Sequence, residues 1–272
     1  MDTNDTKWSE ATTLFLTAPQ RCSYLPQRNS VSLLIDPSTR ISTPAYDRLA
    51  KLGFRRSGDL FYRPQCPGCQ QCIPVRIPAQ HFTPNRAQRR TWRRNRDLSV
   101  REVPSEFHEE HFALYQRYQH ARHRGGGMDT HTPNDFFHFL VCRDIDTRFI
   151  EFRLDQELLG VAVVDHLLDG LSAVYTFYHP DFPGRSLGTF AILSQIELAR
   201  RQGLQWVYLG YWIENSEKMR YKRNFQPLEG FNGSRWLPIQ ERTSYFPPQT
   251  GEDPPSPPQT GKSYQENSES PG

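Results

Sequence analysis

The chain has 272 residues, above the ~150-residue prior for one domain and below the ~300 at which a single core gives way to several. Seventeen Phe, 12 Tyr and 5 Trp exclude a wholly disordered chain, and the longest apolar stretch, residues 158–164, falls far short of the ~20 needed to span a bilayer. Lys+Arg 33 against Asp+Glu 30 leaves a net charge of +3, so the placement of charge matters more than its sum.

The opening MDTNDTKWSE has neither a basic n-region nor an apolar h-region, so no secretory leader is expected. Turn residues, cysteines and arginines dominate up to about residue 100. Three of the five cysteines crowd into Cys66-Pro67-Gly68-Cys69-Gln70-Gln71-Cys72, a usage that suits a reducing compartment and a cytoplasmic protein. A C-x-x-C with Pro-Gly inside is a tight turn that aims two thiolates at one point. Zinc or an iron–sulfur cluster would need a fourth ligand beyond Cys72. Ferredoxin-type spacing would put it at residue 76, which is Arg76, so Cys22 would have to close the site. The other reading is a free-thiol turn that packs without metal.

The run Asn85 to Asp97, NRAQRRTWRRNRD, has six arginines and one acid. With Thr83-Pro84 as a helix start, Arg86, Arg89, Arg90, Arg93 and Arg94 share one helical face. Guanidiniums so gathered repel one another unless an anion offsets them, and phosphate fits their planar fork. A basic face of this kind points to nucleic acid. The alternatives are a solvated face, or pairing with Glu102, Glu106, Glu109 and Glu110.

Regular periodicity begins after residue 100. A helix is expected from Ser105 to about Arg122 and a second from Thr132-Pro133, with Thr as cap; Cys142 beyond it reads as a small buried hydrophobe. Three strand-like runs follow, Thr147–Leu154, Leu158–His166 and Leu171–Tyr178, with connections short enough for antiparallel hairpins. Next come a Pro/Gly turn, a helix from about Ser186 to Arg201 ended by Gly203, and a strand at Gln205–Leu209. This order is that of an acetyltransferase-like (GNAT) domain. Arg185-Ser186-Leu187-Gly188-Thr189-Phe190 approximates its pyrophosphate loop, but Phe190 replaces a small residue and is expected to crowd a pyrophosphate, which disfavours coenzyme A.

The expected fold is therefore α+β. A small Cys-containing module with the arginine helix occupies residues 1–100, and an acetyltransferase-like mixed sheet with helices occupies 101–246. A Pro-rich disordered tail occupies 247–272. Asp165 interrupts an apolar strand run and needs an ammonium or arginine partner if buried; a strand-end acid facing water is the plainer reading. Tyr175, Tyr178 and His179 are ordinary half-buried strand residues by default. The segment Tyr208 to Lys222 mixes aromatics with Lys218, Arg220 and Lys222, either to stack bases and hold phosphates or as an amphipathic edge.

Several blocks together carry a resemblance. They are Cys22-Ser23-Tyr24-Leu25-Pro26, Gly53-Phe54-Arg55-Arg56-Ser57-Gly58, Tyr62-Arg63-Pro64 with the three cysteines, Ser172-Ala173-Val174-Tyr175, and Lys218-Met219-Arg220-Tyr221-Lys222. In this order they resemble the arginyl-tRNA–protein transferase family. They are most similar to its bacterial branch, which gives leucine to proteins beginning with aspartate or glutamate. The eukaryotic members usually carry Trp where this chain has Phe54, and their cysteine spacing ends in an adjacent pair.

The resemblance implies transfer of leucine from Leu-tRNA to an acidic N-terminus, marking the acceptor for N-degron degradation. Arginine as the transferred residue, a non-catalytic tRNA-binding protein and a coenzyme A-dependent N-acetyltransferase remain as alternatives. It implies Asp165, Tyr175 and Lys218 as catalytic residues, with Asp165 on the acceptor's ammonium. Arg55, Arg56, Arg76 and Lys218 are the candidates to read the acidic side chain. The arginine face, Lys222, Arg185 and Gly188 are expected to hold tRNA. No cofactor is needed for transfer; the four cysteines are candidates for zinc or an iron–sulfur cluster.

Overall fold

The run Val161–Val164 is apolar at every position because its strand is covered on both faces, as a central strand between helical layers must be. The computed structural model describes residues 13–239; the tail expected from residue 247 lies outside the described residues. In chain order, β1 (Leu14–Leu16), β2 (Gln20–Arg21), β3 (Asn29–Ser30) and β4 (Ser32–Ile35) precede helix α1 (Thr43–Lys51). The hairpin β5 (Arg55–Ser57) and β6 (Leu60–Pro64) is followed by β7 (Ile73–Pro78), helix α2 (Arg86–Arg94) and β8 (Ser99–Pro104). Helices α3 (Glu109–Arg122) and α4 (Pro133–Leu140) lead into β9 (Thr147–Leu154), β10 (Glu157–His166) and β11 (Gly170–Tyr178). Helix α5 (Leu187–Arg201), β12 (Trp206–Trp212), β13 (Glu229–Phe231) and β14 (Trp236–Pro238) follow.

An eight-stranded mixed sheet has the order β14-β13-β7-β12-β11-β10-β9-β8, and β1-β4-β6-β5 make a smaller sheet. Every ladder in the large sheet is antiparallel except β11 with β12. The expected strand, strand, strand, turn, helix, strand order is present. Phe149, Val161, Val163 and Phe177 pack under Phe112, Tyr115 and Phe136 of α3 and α4. Ile150, Phe152, Ala162 and Val164 pack on the other face under Leu187, Phe190 and Ala191 of α5. No helix among the described residues is long and apolar enough to cross a membrane.

Local chemistry sets the helix starts. Thr132 caps α4 through the Asp135 N–H, with Asp135 reaching back in a capping box. Asn85, not Thr83, caps α2, because Gln88 stands at the third helical position to close the box. The divide expected near residue 100 is a change of local composition that the large sheet crosses. Strand β7, from the cysteine-rich side, lies between β12 and β13, and the described residues 13–239 fall in one compact unit.

A buried ion pair joins the two sheets. Arg56 on β5 gives Nε to Asp165 Oδ2 at 2.8 Å and Nη2 to Oδ1 at 2.5 Å, with both side chains at 0% exposure. The remaining donors go to Leu140 O and Thr147 Oγ1 at 3.0 Å each and to Gly58 O at 3.3 Å, while the Thr147 hydroxyl donates to Asp165 at 2.8 Å. Asp165 thus has the arginine partner its burial requires. The pair has no open face, which corrects the expectation that Asp165 holds a substrate ammonium and Arg56 a substrate carboxylate.

Removing one member of such a pair strands the other charge and typically costs about 3–5 kcal/mol. Arg56→Met is expected to lose stability on that scale in urea unfolding, and Arg56→Met with Asp165→Leu to regain part of it. A single variant as stable as the parent would show that the pair does not hold the sheets together.

Candidate functional site

Parallel strands β11 and β12 are bonded only from Gly170/Trp206 to Ser172/Tyr208. Beyond that point no ladder bond joins them, and two buried cations reach the backbone there. Arg55 on β5 gives one guanidinium N–H to Ala173 O and another to Ser172 Oγ at 3.0 Å, where the Tyr46 hydroxyl also lies at 3.0 Å. Lys222 gives Nζ to Tyr211 O at 2.6 Å. Gly210 at φ +77° permits the approach, since a Cβ there would stand 3.3 Å from Arg55 Nε. The Tyr211 hydroxyl donates to Gly53 O at 3.0 Å, fixing the turn that feeds β5.

These contacts correct two expected roles. Arg55 is committed to the strand opening and is unavailable to read a substrate carboxylate. Lys222 is a buried amine rather than a surface phosphate ligand; burial, reinforced by the Arg55 charge, lowers its pKa to about 7. Arg76, the third expected reader, is paired with Glu229 at 2.8 Å and lies between the rings of Trp206 and Trp236, 3.4 and 4.4 Å from their centroids. Its charge is consumed by cation–π packing and a carboxylate.

The cysteines gather on the far side of Lys222. Burial and the neighbouring thiols of Cys66, Cys22 and Cys69 push Cys72 up to about 12. Cys66 Sγ accepts from the Val31 N–H at 3.4 Å, and Cys142 is buried in the small-sheet core, as expected of a small hydrophobe. Among the described residues no group of three or more His, Cys, Asp or Glu side chains is arranged to hold a metal ion. No step of the chemistry below passes through a metal.

Helix α2 presents Arg86, Arg89, Arg90, Arg93 and Arg94 to solvent, and among the described residues no salt bridge engages any of them. Arg89 donates to Pro84 O at 2.5 Å and Arg94 to Gly184 O. Phe82, Pro84, Arg89 and Trp92 line a groove of about 410 Å³ with Leu193, Ile196 and Arg200 of α5. At the other end of α2, Arg185 grips Asp97 through two bonds of 2.7 and 2.9 Å, and Asn95 donates to Arg185 O at 2.8 Å. The arginine ridge therefore runs beside α5 and ends on the loop before it. Arg185 builds that junction and is not free to hold phosphate.

Phe190 does not crowd the loop. Its ring turns inward against Phe152 and Trp92, each 5.4 Å away. Gly188, in the first turn of α5, lets Tyr178 pack against it, a Cβ there meeting that ring at 3.2 Å. Tyr178 is 4.9 Å from Tyr118, which meets His123 at 5.6 Å. Burial and then the charges of Lys218 and Arg122 lower the pKa of His123, so Lys218, exposed, is at the same place. The Tyr175 hydroxyl accepts from Gln119 at 2.8 Å. Tyr175, Tyr178 and Gly188 are thus linked through Gln119 and Tyr118 of α3, and the Lys218 charge is felt by His123 at the end of that helix.

A second pocket of about 410 Å³ is walled by Trp212, Glu217, Arg220, Tyr221 and Asn224. Trp212 ends β12, the strand next to β11, which carries Tyr178, and Gln88 of α2 donates to Asn224 O at 3.0 Å. The alternating signs in YWIENSEKMRYK are the one sequence signal of this pocket. Gln88 gave none.

The family signature described as "Arginine-tRNA-protein transferase, N terminus" matches residues 20–90, and its "C terminus" counterpart matches 110–232. A protein of Chromohalobacter salexigens named aspartate/glutamate leucyltransferase is 52% identical over 84% of this chain and 94% of its own. One of the same name from Nitrosococcus oceani is 50% identical over 84% and 96%. Among solved structures, L-PGS from Bacillus licheniformis aligns with 53% of this chain and 48% of its own at TM-score 0.42 and 11% identity.

The Lys222 amine makes a pH test. Its folded pKa of about 7 lies below the ordinary 10.5, so above about pH 7 the unfolded chain holds the extra proton and stability rises with pH. Lys222→Met is expected to flatten that rise in urea midpoints taken from about pH 7 to about pH 8.5, the thiol titrations being common to both proteins. Equal slopes would place the amine at its ordinary pKa.

Proposed function

Because the chain belongs to the arginine-tRNA–protein transferase family, an enzyme family that moves aminoacyl groups, we propose that it transfers leucine from Leu-tRNA to the α-amine of proteins beginning with Asp or Glu. The product carries a destabilising first residue and enters degradation by the N-degron route. The observation that carries this reading, beside the names of the relatives, is the arginine ridge of α2, free of salt bridges among the described residues and ending on the loop before α5. A polyanion laid along α2 brings its end to the tyrosine-lined region.

The chemistry asks for positioning. The aminoacyl ester is already activated, so neither ATP, a cofactor nor a covalent enzyme intermediate is required. An α-amine titrates near ~7.7–8.0, leaving a useful neutral fraction at pH 7. The ammonium gives up one proton, and its nitrogen attacks the ester carbonyl carbon. The new C–N bond forms as the C–O bond to the tRNA ribose breaks, and the nitrogen's second proton passes to the departing ribose oxygen, leaving an amide and a free ribose hydroxyl. Fixing the amine against the ester, and donors near the developing oxyanion, supply the rate. We assign these tasks to Lys218 and the Tyr175 hydroxyl.

The assay offers Leu-tRNA, Arg-tRNA or acetyl-CoA, each labelled in the transferable group, with peptides beginning with Asp or Lys. Label from Leu-tRNA alone is expected on the Asp peptide alone; label from acetyl-CoA would overturn the reading. Replacing Arg89, Arg90, Arg93 and Arg94 by Ala should weaken tRNA binding and flatten its dependence on salt, because fewer counterions are released. An unchanged salt slope would make the ridge a solvated surface.

A further inference from the structure

Three arginines on β5 and β7 were candidates to read an acidic acceptor, and all three are committed inside the fold. The reader must be a cation open to a cavity near the first turn of α5. The pocket beside Tyr221 supplies one. Arg220 and Glu217 are both exposed at its wall, and among the described residues neither has an ion-pair partner. Their neighbours Arg223 and Glu214 face each other at 3.5 Å. Trp212 borders the same pocket with its indole N–H buried and unpartnered.

An N-terminal aspartate or glutamate is a compact double ion. Its α-ammonium and side-chain carboxylate lie a few bonds apart, and no internal residue presents that pair. We propose that this pocket seats the acceptor's first residue, with Arg220 holding the side-chain carboxylate and Glu217 the α-ammonium. The proposal rests on the transfer function above and identifies the residues that set its acceptor specificity. Placement favours it. The Gln88–Asn224 bond fixes its wall to the arginine helix, and Trp212 ties it to the end of β12, beside the strand that carries Tyr178. A guanidinium matches a carboxylate bidentately, and selectivity follows because a neutral or basic first residue leaves Arg220 unpaired beside a ligand that cannot use it.

Arg220→Gln and Glu217→Gln test it, both at exposed positions where folding is unaffected. Steady-state transfer is measured with the full chain, Leu-tRNA and peptides beginning with Asp, Asn or Lys. Each variant is expected to raise KM for the Asp peptide about tenfold or more, as loss of one charge-assisted hydrogen bond implies, with Kd for Leu-tRNA unchanged. Arg220→Gln should also erase the preference for Asp over Asn, which a merely structural role would not do. Acceptor KM values within about twofold of the parent in both variants overturn the proposal while leaving leucine transfer standing. Failure of the parent enzyme to leucylate the Asp peptide overturns the transfer reading and, with it, this one.

Discussion

The bidentate bond between Arg56 and Asp165 is the constraint on which the site geometry depends. It ties β5 of the small sheet to the middle of the large one, and Leu140 O and Thr147 bring α4 and β9 into the same junction. Two charges taken wholly out of water are tolerated only when further hydrogen bonds satisfy them, and here Leu140 O, Thr147 and Gly58 O add those partners. Because β5 is held in this register, the next guanidinium, on Arg55, is delivered to the opening between β11 and β12. One arginine locks the hairpin and its neighbour caps the strand end.

That opening has a clear cause. Parallel strands that stop pairing after three residues leave backbone carbonyls that must find donors. Arg55 and Lys222 serve two of them, one from each side of the chain's order. The strands that diverge there carry Tyr178, packed on the first turn of α5, and Trp212, which borders the Arg220 pocket, while α2 reaches both sides through Arg94 and Gln88. A reaction between an activated ester and a free amine needs such convergence more than it needs a strong base, since bringing the two together supplies most of the rate.

Much of this was readable from the residues, and the failures have physical reasons. Strands β9 to β11 and helices α4 and α5 show in their periodicity and caps because each lies in a regular layer with one kind of neighbour per face. Strand β7 is hidden between Pro74 and Pro78 beside the cysteine turn, although it is central to the sheet. Gly210 looks like the end of β12 and is instead a bulge that admits a guanidinium. Asp165 was legible as an acid in need of an arginine. Which arginine was not, because Arg55 and Arg56 follow each other in a short polar segment that gives no sign of burial. Lys222 sits in a run of cations whose other members face solvent, and only the tertiary fold separates it from them.

The decisive question is whether the Asp165 carboxylate supports the fold or takes part in the reaction. Single-turnover leucine transfer by Asp165→Asn, run well below its unfolding midpoint and alongside its urea curve, separates the two. An architectural pair predicts a markedly less stable protein that, while folded, transfers leucine within about tenfold of the parent rate. A variant as stable as the parent that transfers nothing would contradict it and put the carboxylate in the chemistry.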